Sequence, residues 1–370
     1  MYKRIKVKLY PTHKQIEMLE NHFNVYRYCY NLCLEYKKTL WEHHKVSISG
    51  YDMAKELLQI RKEVDWFSKC KAESIRESAY QVDKAYKNFF KGNGFPKFKS
   101  KKGVQSFHAY QSISCKKDKL KFYGNLIKFK TSKEHEELLE ISKIKQVTFK
   151  KDLVGDYWAT FLIEDKTNLS LEKTNKSVGI DLGLKELLVT SDGEYFENNK
   201  YLQKQYYKLR KLQRKFAKTK KGGKNREKLR KKIAKKFRKI KWQKEHYYHQ
   251  ITNKLIRDNQ TIIIESLKIK QMIENKELSR QISDASWGML ITMLEYKCKW
   301  YGRNLIKINT YFPSSKKCSN CGNVKEDLKL SEREYNCEKC FVSLDRDYNA
   351  SLNILEEGLR VSGIKIPVEA

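Results

Sequence analysis

From residue 177 onward, short apolar runs and helical patterns follow one another in an order that few folds accept. Residues 177–182 read as a strand and 186–190 as a second. A third, 194–197, follows the turn Ser191-Asp192-Gly193. Two long helical segments come next, broken at Gly222-Gly223. The apolar run Ile262-Ile263-Ile264 then marks a strand over 261–265. A helix over 284–300, a strand over 304–308 and a helix over 347–357 complete the pattern, with a cysteine-rich insertion before the last helix.

This βββ–α–β–α–β–α order is that of the RNase H-like fold, whose first and fourth strands are neighbours at the sheet centre. Its last helix packs against the same edge. Asp181 ends the first of these strands, Glu265 ends the fourth, and Asp347 begins the last helix. Three acids distant in sequence are therefore expected to converge. Phosphodiester hydrolysis requires hard divalent cations, and carboxylates are the ligands such cations take. One acid at a strand end is ordinarily only a strand end or a cap; three at matching positions of one order point to a site. Asp345 competes with Asp347, since one of the two caps the helix that the other starts, and the pattern leaves both open.

Nine cysteines occur. Cys29, Cys33, Cys70, Cys115 and Cys298 are scattered and read as small buried apolar residues. Cys318-x2-Cys321 and Cys337-x2-Cys340, fifteen residues apart, have the spacing of a four-cysteine zinc ribbon, with Gly322 at the tight turn. Four protein ligands leave no open position, so the expected Zn²⁺ is structural.

The first half of the chain has a different rhythm. Ile5, Val7 and Leu9 alternate with Lys6 and Lys8, which predicts a strand that Pro11 stops. Thr12 and Gln15 form a capping-box pattern opening a helix. Helical spacing continues to about Phe90, where Gly92, Gly94 and Pro96 break it. Over 104–165 the period becomes two. Gly124-Asn125 signals a hairpin between 120–122 and 127–129, and 147–149 with 157–163 suggest a second pair. This predicts a discontinuous β lobe with a helical lobe inserted in it.

Charge narrows the function. Lys and Arg number 78 against 44 Asp and Glu, a net of +34. A polyanionic partner is expected, nucleic acid before a membrane surface, because the charge is spread along the whole chain. Residues 201–246 hold 21 Lys/Arg and 2 Glu, a local net of +19. Lys208, Arg210, Lys211, Arg214, Lys231, Lys235 and Arg238 on these helices, with Lys97 and Lys99 of the 95–99 segment, are the expected nucleic-acid contacts. Tyr206, Tyr207, Trp242, Tyr247 and Tyr248 are equally suited to base stacking and to core packing. No apolar run is long enough to span a membrane, and no apolar signal segment follows Met1. A cytoplasmic protein is expected.

Taken together these residues resemble the TnpB family of transposon-encoded RNA-guided nucleases, relatives of the type V CRISPR effectors, over nearly the whole chain. The matching segments are Tyr10-Pro11-Thr12 with Gln15, Arg27-Tyr28 and Asn31; Phe95-Pro96-Lys97-Phe98-Lys99; Gly179-Ile180-Asp181-Leu182-Gly183; and Ile264-Glu265-Ser266-Leu267. Ser286-Trp287-Gly288, Leu294-Glu295-Tyr296-Lys297, Pro313-Ser314-Ser315-Lys316, the cysteine pairs, Asp345-Arg346-Asp347-x-Asn349-Ala350 and the tail Pro367-Val368-Glu369-Ala370 fit as well. His246 departs, where relatives often carry an acid.

The resemblance implies a multidomain α+β chain. A β-barrel wedge domain (1–11 and 97–170) would carry a helical recognition insertion (12–96). An RNase H-like (RuvC) α/β domain (171–310 and 344–370) would carry an inserted four-Cys zinc ribbon (311–343). It assigns catalysis and Mg²⁺ binding to Asp181, Glu265 and Asp347, and Zn²⁺ to Cys318, Cys321, Cys337 and Cys340. It implies a guide RNA from the element's 3′ end, double- and single-stranded DNA targets, a monomer carrying one RNA, and cleavage beside a transposon-adjacent motif. An RNA-guided regulator without cleavage is the alternative, which the intact acid triad disfavours. No base-reading repeat occurs, so sequence specificity is expected from base pairing rather than from side chains.

Overall fold

The alternation at the start folds as expected: β1 (Tyr2–Tyr10) buries Ile5, Val7 and Leu9 and turns Lys6 and Lys8 to the other face. The computed structural model describes residues 2–111, 113–165, 169–274, 278–328 and 332–363; the 367–370 motif lies outside them. The chain divides into two compact units, Met1–Thr167 and Asn168–Ala370.

In the first unit the Thr12 backbone N–H donates to Gln15 Oε1 at 3.0 Å, closing the capping box that starts α1 (His13–His44). There follow α2 (Gly50–Glu63), α3 (Asp65–Ser68) and α4 (Ala72–Phe90). Cys29, Cys33 and Cys70 pack with Val25, Leu34 and Ile75 in the core of these helices. The strands are β2 (Gln105–Ala109), β3 (Ser114–Lys116), β4 (Lys119–Phe122), β5 (Asn125–Lys130), β6 (Lys143–Lys151) and β7 (Tyr157–Glu164), with α5 (Lys133–Ile141) between β5 and β6. Both expected hairpin pairings form, β4 with β5 and β6 with β7.

The sheet order is β2-β6-β7-β1-β5-β4-β3. Its ends, β2 and β3, are not bonded to each other, so the expected barrel is an open sheet instead. β3 runs only three residues, which leaves little edge to close against β2. On the sheet's face His22 of α1 stacks on Phe107 of β2 at 5.2 Å and meets Phe122 of β4 edge-on at 5.2 Å. Phe107, Phe122 and Phe149 still meet across the curved sheet.

The second unit contains β8 (Ser177–Asp181), β9 (Glu186–Thr190), β10 (Tyr195–Glu197), α6 (Tyr201–Ala217), α7 (Lys224–Asp258), β11 (Thr261–Glu265), α8 (Ile269–Glu274), α9 (Ser279–Ala285) and α10 (Trp287–Tyr301). After these come β12 (Asn304–Ile308), β13 (Glu334–Asn336), β14 (Ser343–Asp345) and α11 (Arg346–Ser362). The central sheet runs β10-β9-β8-β11-β12, parallel from β8 to β12 and antiparallel from β8 to β10. β13 and β14 form a separate pair. No described helix is long and apolar enough to cross a membrane.

Two glycines set how closely α11 meets this sheet. A Cβ at Gly179 would stand 2.2 Å from the Ser351 carbonyl oxygen, and one at Gly358 would stand 2.2 Å from Ile263 Cγ2. Helix backbone therefore lies directly on strand backbone, and the N-terminus of α11 is fixed relative to the ends of β8 and β11.

Candidate active site

Strand register brings the first two acids together. Ile180 lies opposite Ile264 in the parallel pair β8–β11, so Asp181 and Glu265 are the next residues along neighbouring strands, roughly 5 Å apart at the backbone. Both are half-buried at the carboxyl ends of those strands, where open α/β sheets place their sites. Asp347 reaches the same place from the first turn of α11. A Cβ added at Gly183, just past β8, would lie 4.0 Å from Asp347 Oδ2.

The competition between Asp345 and Asp347 resolves by hydrogen bonding. Asp345 Oδ1 accepts from the backbone N–H groups of Asp347 at 3.1 Å and Tyr348 at 3.0 Å. Asp345 is the N-cap, and the Asp347 carboxylate is left to the site.

Crowding like charges in a half-buried place raises their proton affinity. Burial, then the charges of Asp347 and Glu265, push the Asp181 carboxyl up to about 7. Burial pushes Glu265 up to about 7. Burial, then the charge of Asp345, raises Asp347, opposed by Arg333, Arg346 and Lys185. Among the described residues, no three carboxylates gather as tightly as the cysteines below. A site that holds three repelling carboxylates apart has the donor set and the unmet negative charge that hard cations take.

The four cysteines converge fully. Their sulfurs lie within 4.8 Å of one another and could hold a metal ion. Cys318 and Cys340 are 3.6 Å apart, Cys321 and Cys337 3.5 Å. Gly322 takes φ +74°, as the knuckle turn requires. The cluster is tied to the acid-bearing helix through Asn349, fully buried on α11. Its side chain accepts from the Ser319 N–H at 2.9 Å and donates to the Lys317 carbonyl at 2.8 Å.

The basic residues separate into two groups. On α6 and α7, Lys208, Arg210, Lys211, Arg214, Lys231 and Lys235 are exposed. Arg210, Lys211 and Arg214 line a hollow of about 450 Å³ beside Tyr207, whose ring is 80% exposed. Arg238 packs over Trp242 at 5.0 Å. Tyr206 lies under Arg280 at 4.7 Å, and Tyr248 is buried. In the first unit Lys97 is exposed, whereas Lys99 turns inward over the Tyr30 ring at 3.9 Å and is pushed down to about 8 by burial.

Sequence reading missed the anchor of the basic helices. Asp284 accepts from the backbone N–H groups of Leu202 and Gln203, each at 3.0 Å, capping α6 from a remote helix. It also pairs with Lys244 at 2.8 Å, both side chains under a tenth exposed. Lys244 is therefore spent inside the protein. So is Arg226, which donates to the carbonyls of Phe216 in the last turn of α6 and of Thr219 just beyond it. Nothing in the residue pattern distinguishes these two from the exposed lysines around them.

Comparison with known proteins gives three family matches: a "Probable transposase" model over residues 160–276, a "Cas12f1-like, TNB domain" model over 287–354, and a "Helix-turn-helix domain" model over 1–45. The last segment folds here as β1 and one uninterrupted helix, α1. A Streptomyces pristinaespiralis protein named "Putative RNA-guided DNA endonuclease" is 34% identical over 365 residues, covering 96% of this chain and 89% of that protein. A "TnpB-like protein" of Acanthamoeba polyphaga mimivirus is 24% identical, covering 96% of this chain and 73% of its own. The fold is similar to that of the protein in a solved Cas12f1–sgRNA–target DNA complex. The TM-score is 0.53 at 15% identity, covering 96% of this chain and 98% of that one.

Proposed function

Because the chain belongs to the TnpB family of transposon-encoded proteins, we propose that it is an RNA-guided DNA endonuclease of an insertion-sequence element, cutting target DNA beside a transposon-adjacent motif. What supports this reading most is that Asp181 and Glu265 end neighbouring strands and that the charge of Asp347 acts on Asp181, in a chain of net charge +34.

In this reading the three acids hold Mg²⁺. Cations bound there would activate water for attack on the phosphodiester and neutralise the leaving oxygen. The chain's own part is positional. β8 and β11 fix Asp181 and Glu265 by register, the Asp345 cap fixes the turn that carries Asp347, and Gly179 lets that helix close on the sheet. The four cysteines would hold Zn²⁺ as structure: Zn–S bonds of about 2.3 Å demand sulfurs about 3.8 Å apart, near the paired separations here.

The domain reading follows: a wedge over 1–11 and 97–170, a recognition insertion over 12–96, a RuvC-like domain over 171–310 and 344–370, and a zinc ribbon over 311–343. The exposed cations of α6 and α7, with Lys97, would grip the phosphates of a guide–target duplex, whose sequence is read by base pairing. The protein would act in the cytoplasm as a monomer with one guide RNA.

The test is guide exchange. Purified protein without RNA should make no site-specific double-strand cut. RNA from the element's 3′ end should create one, and a changed guide should move it. Cutting at one fixed sequence by RNA-free protein would overturn the reading. RNA-dependent binding without any cut would favour the regulator instead.

A further inference from the structure

A hollow of about 570 Å³ opens in the first unit, between the ends of α1 and α4 and the chain joining α1 to α2. Trp41, Tyr86, Phe89, Phe90 and Phe95 form much of its wall. Three of these rings stay in solvent: Trp41 is 56% exposed, Phe90 79% and Phe95 47%. The rings meet edge to face, Tyr86 with Phe95 at 5.6 Å and Phe89 with Phe95 at 5.3 Å, which leaves π faces uncovered. An exposed aromatic cluster of this kind marks a binding surface.

Charge identifies the occupant. Both acids at the hollow are answered by lysines: Asp83 by Lys37 at 2.7 Å and Glu42 by Lys38 at 3.7 Å. Lys87 adds a further cation on the wall. The stretch 87–102 that contains Phe89, Phe90 and Phe95 holds six lysines and no acid. Lys87, Lys91, Lys97, Lys101 and Lys102 are exposed. Flat apolar faces with cations alongside suit a base and its phosphates, since aromatic side chains stack on any base while lysines track the backbone. Folded RNA displays splayed, unstacked bases in its loops and bulges.

We propose that this hollow takes one unpaired nucleobase of an RNA, stacked on Trp41 and Phe90, with its neighbouring phosphates on the exposed lysines of 87–102. The site rests on the reading of the chain as an RNA-guided enzyme, and it adds a base-holding contact outside any guide–target pairing.

The experiment compares the full chain's affinity for an RNA hairpin carrying a one-base bulge with that for the same hairpin carrying an abasic bulge. The two RNAs have equal charge, so only the base differs. Wild type should prefer the base by about tenfold. Trp41→Ala and Phe90→Ala should each abolish that preference while leaving the salt dependence of binding unchanged. Both positions are exposed, and Trp41→Phe should retain the preference. Equal affinities in wild type, or a preference that survives both substitutions, would overturn the proposal. So would an equal preference for the matching DNA hairpin, which would remove RNA as the partner. Self-association lost in Phe90→Ala without any base preference would assign the hollow to a second copy. Guide-dependent cleavage is measured on the same preparations: wild-type cleavage without base preference sinks this site alone, and absent cleavage sinks the nuclease reading alone.

Discussion

Two clusters in the second unit carry metal-ligating side chains, and they are built in opposite ways. The cysteines come from one stretch, 318–340, and pack sulfur against sulfur within 4.8 Å. The acids come from β8, β11 and α11, and topology alone brings them near one another. Four sulfurs close a tetrahedral shell; three spaced carboxylates leave coordination positions free for water and phosphate. In the proposed reading, local spacing makes the structural metal site and long-range register the chemical one. Asn349 joins the two, since its side chain bonds the first knuckle two residues beyond Asp347 on the same helix.

The largest expected effect breaks the comparison at the acids. Asp181→Ala, Glu265→Ala or Asp347→Ala should each lower guide-dependent cleavage by roughly a thousandfold or more, while RNA and DNA affinity change by less than about twofold. Asp345→Ala should cost only a helix cap, about 1 kcal/mol, and leave measurable cutting. Cleavage assays that reversed Asp345 and Asp347 would show that the cap and the ligand have been exchanged.

The next effect tests the closed cluster and its link to the open one. Cys318→Ser should lower bound zinc and destabilise the second unit, because folding of a small ribbon depends on its metal. Asn349→Ala should keep its zinc but lose the two bonds to the knuckle, costing about 1–3 kcal/mol, and should cut more slowly through a displaced Asp347. Metal analysis finding no zinc in wild type would remove the first claim. Normal cutting by Asn349→Ala would remove the second.

The same contrast explains what the sequence made legible. The cysteine pairs and the order of strands β8 to β12 are local patterns and survive into the structure, whereas the helix expected over 284–300 is broken at Ser286, where φ is +50°, and α8 and the β13–β14 pair had no signal in the pattern. The convergence of Asp181 with Glu265 was readable because strand order fixes which strands are neighbours. Sheet closure was not readable. Whether β2 pairs with β3 is a matter of edge length and tertiary curvature, with no period in the sequence. The fates of Lys99, Arg226 and Lys244 were hidden for a similar reason, since a lysine or arginine turned inward has the same neighbours in sequence as one turned outward.

The smallest expected effect sharpens the comparison through pH. In the folded chain without divalent cations, Asp181 and Glu265 titrate near 7; in an unfolded chain they titrate near 4. Between about pH 4 and pH 7 the folded form therefore holds protons that the unfolded form has released. Stability falls as pH rises through that window and does not recover above it. In Mg²⁺-free buffer, Asp181→Asn removes one of these carboxylates, so the variant should match wild type near pH 4 and be the more stable by pH 8, by on the order of 1 kcal/mol. Mg²⁺ should reverse the order at pH 8, because the cation stabilises the ionised trio and the variant holds it poorly. Cleavage by wild type should rise as pH climbs through 7, with the same carboxylates losing their protons. The cysteine cluster supplies the control, since Cys318→Ser should lower the melting temperature in Mg²⁺ and in Mg²⁺-free buffer alike. Melting curves of the Asp181→Asn variant that followed wild type at every pH, with and without Mg²⁺, would show that the three acids do not crowd one another in solution.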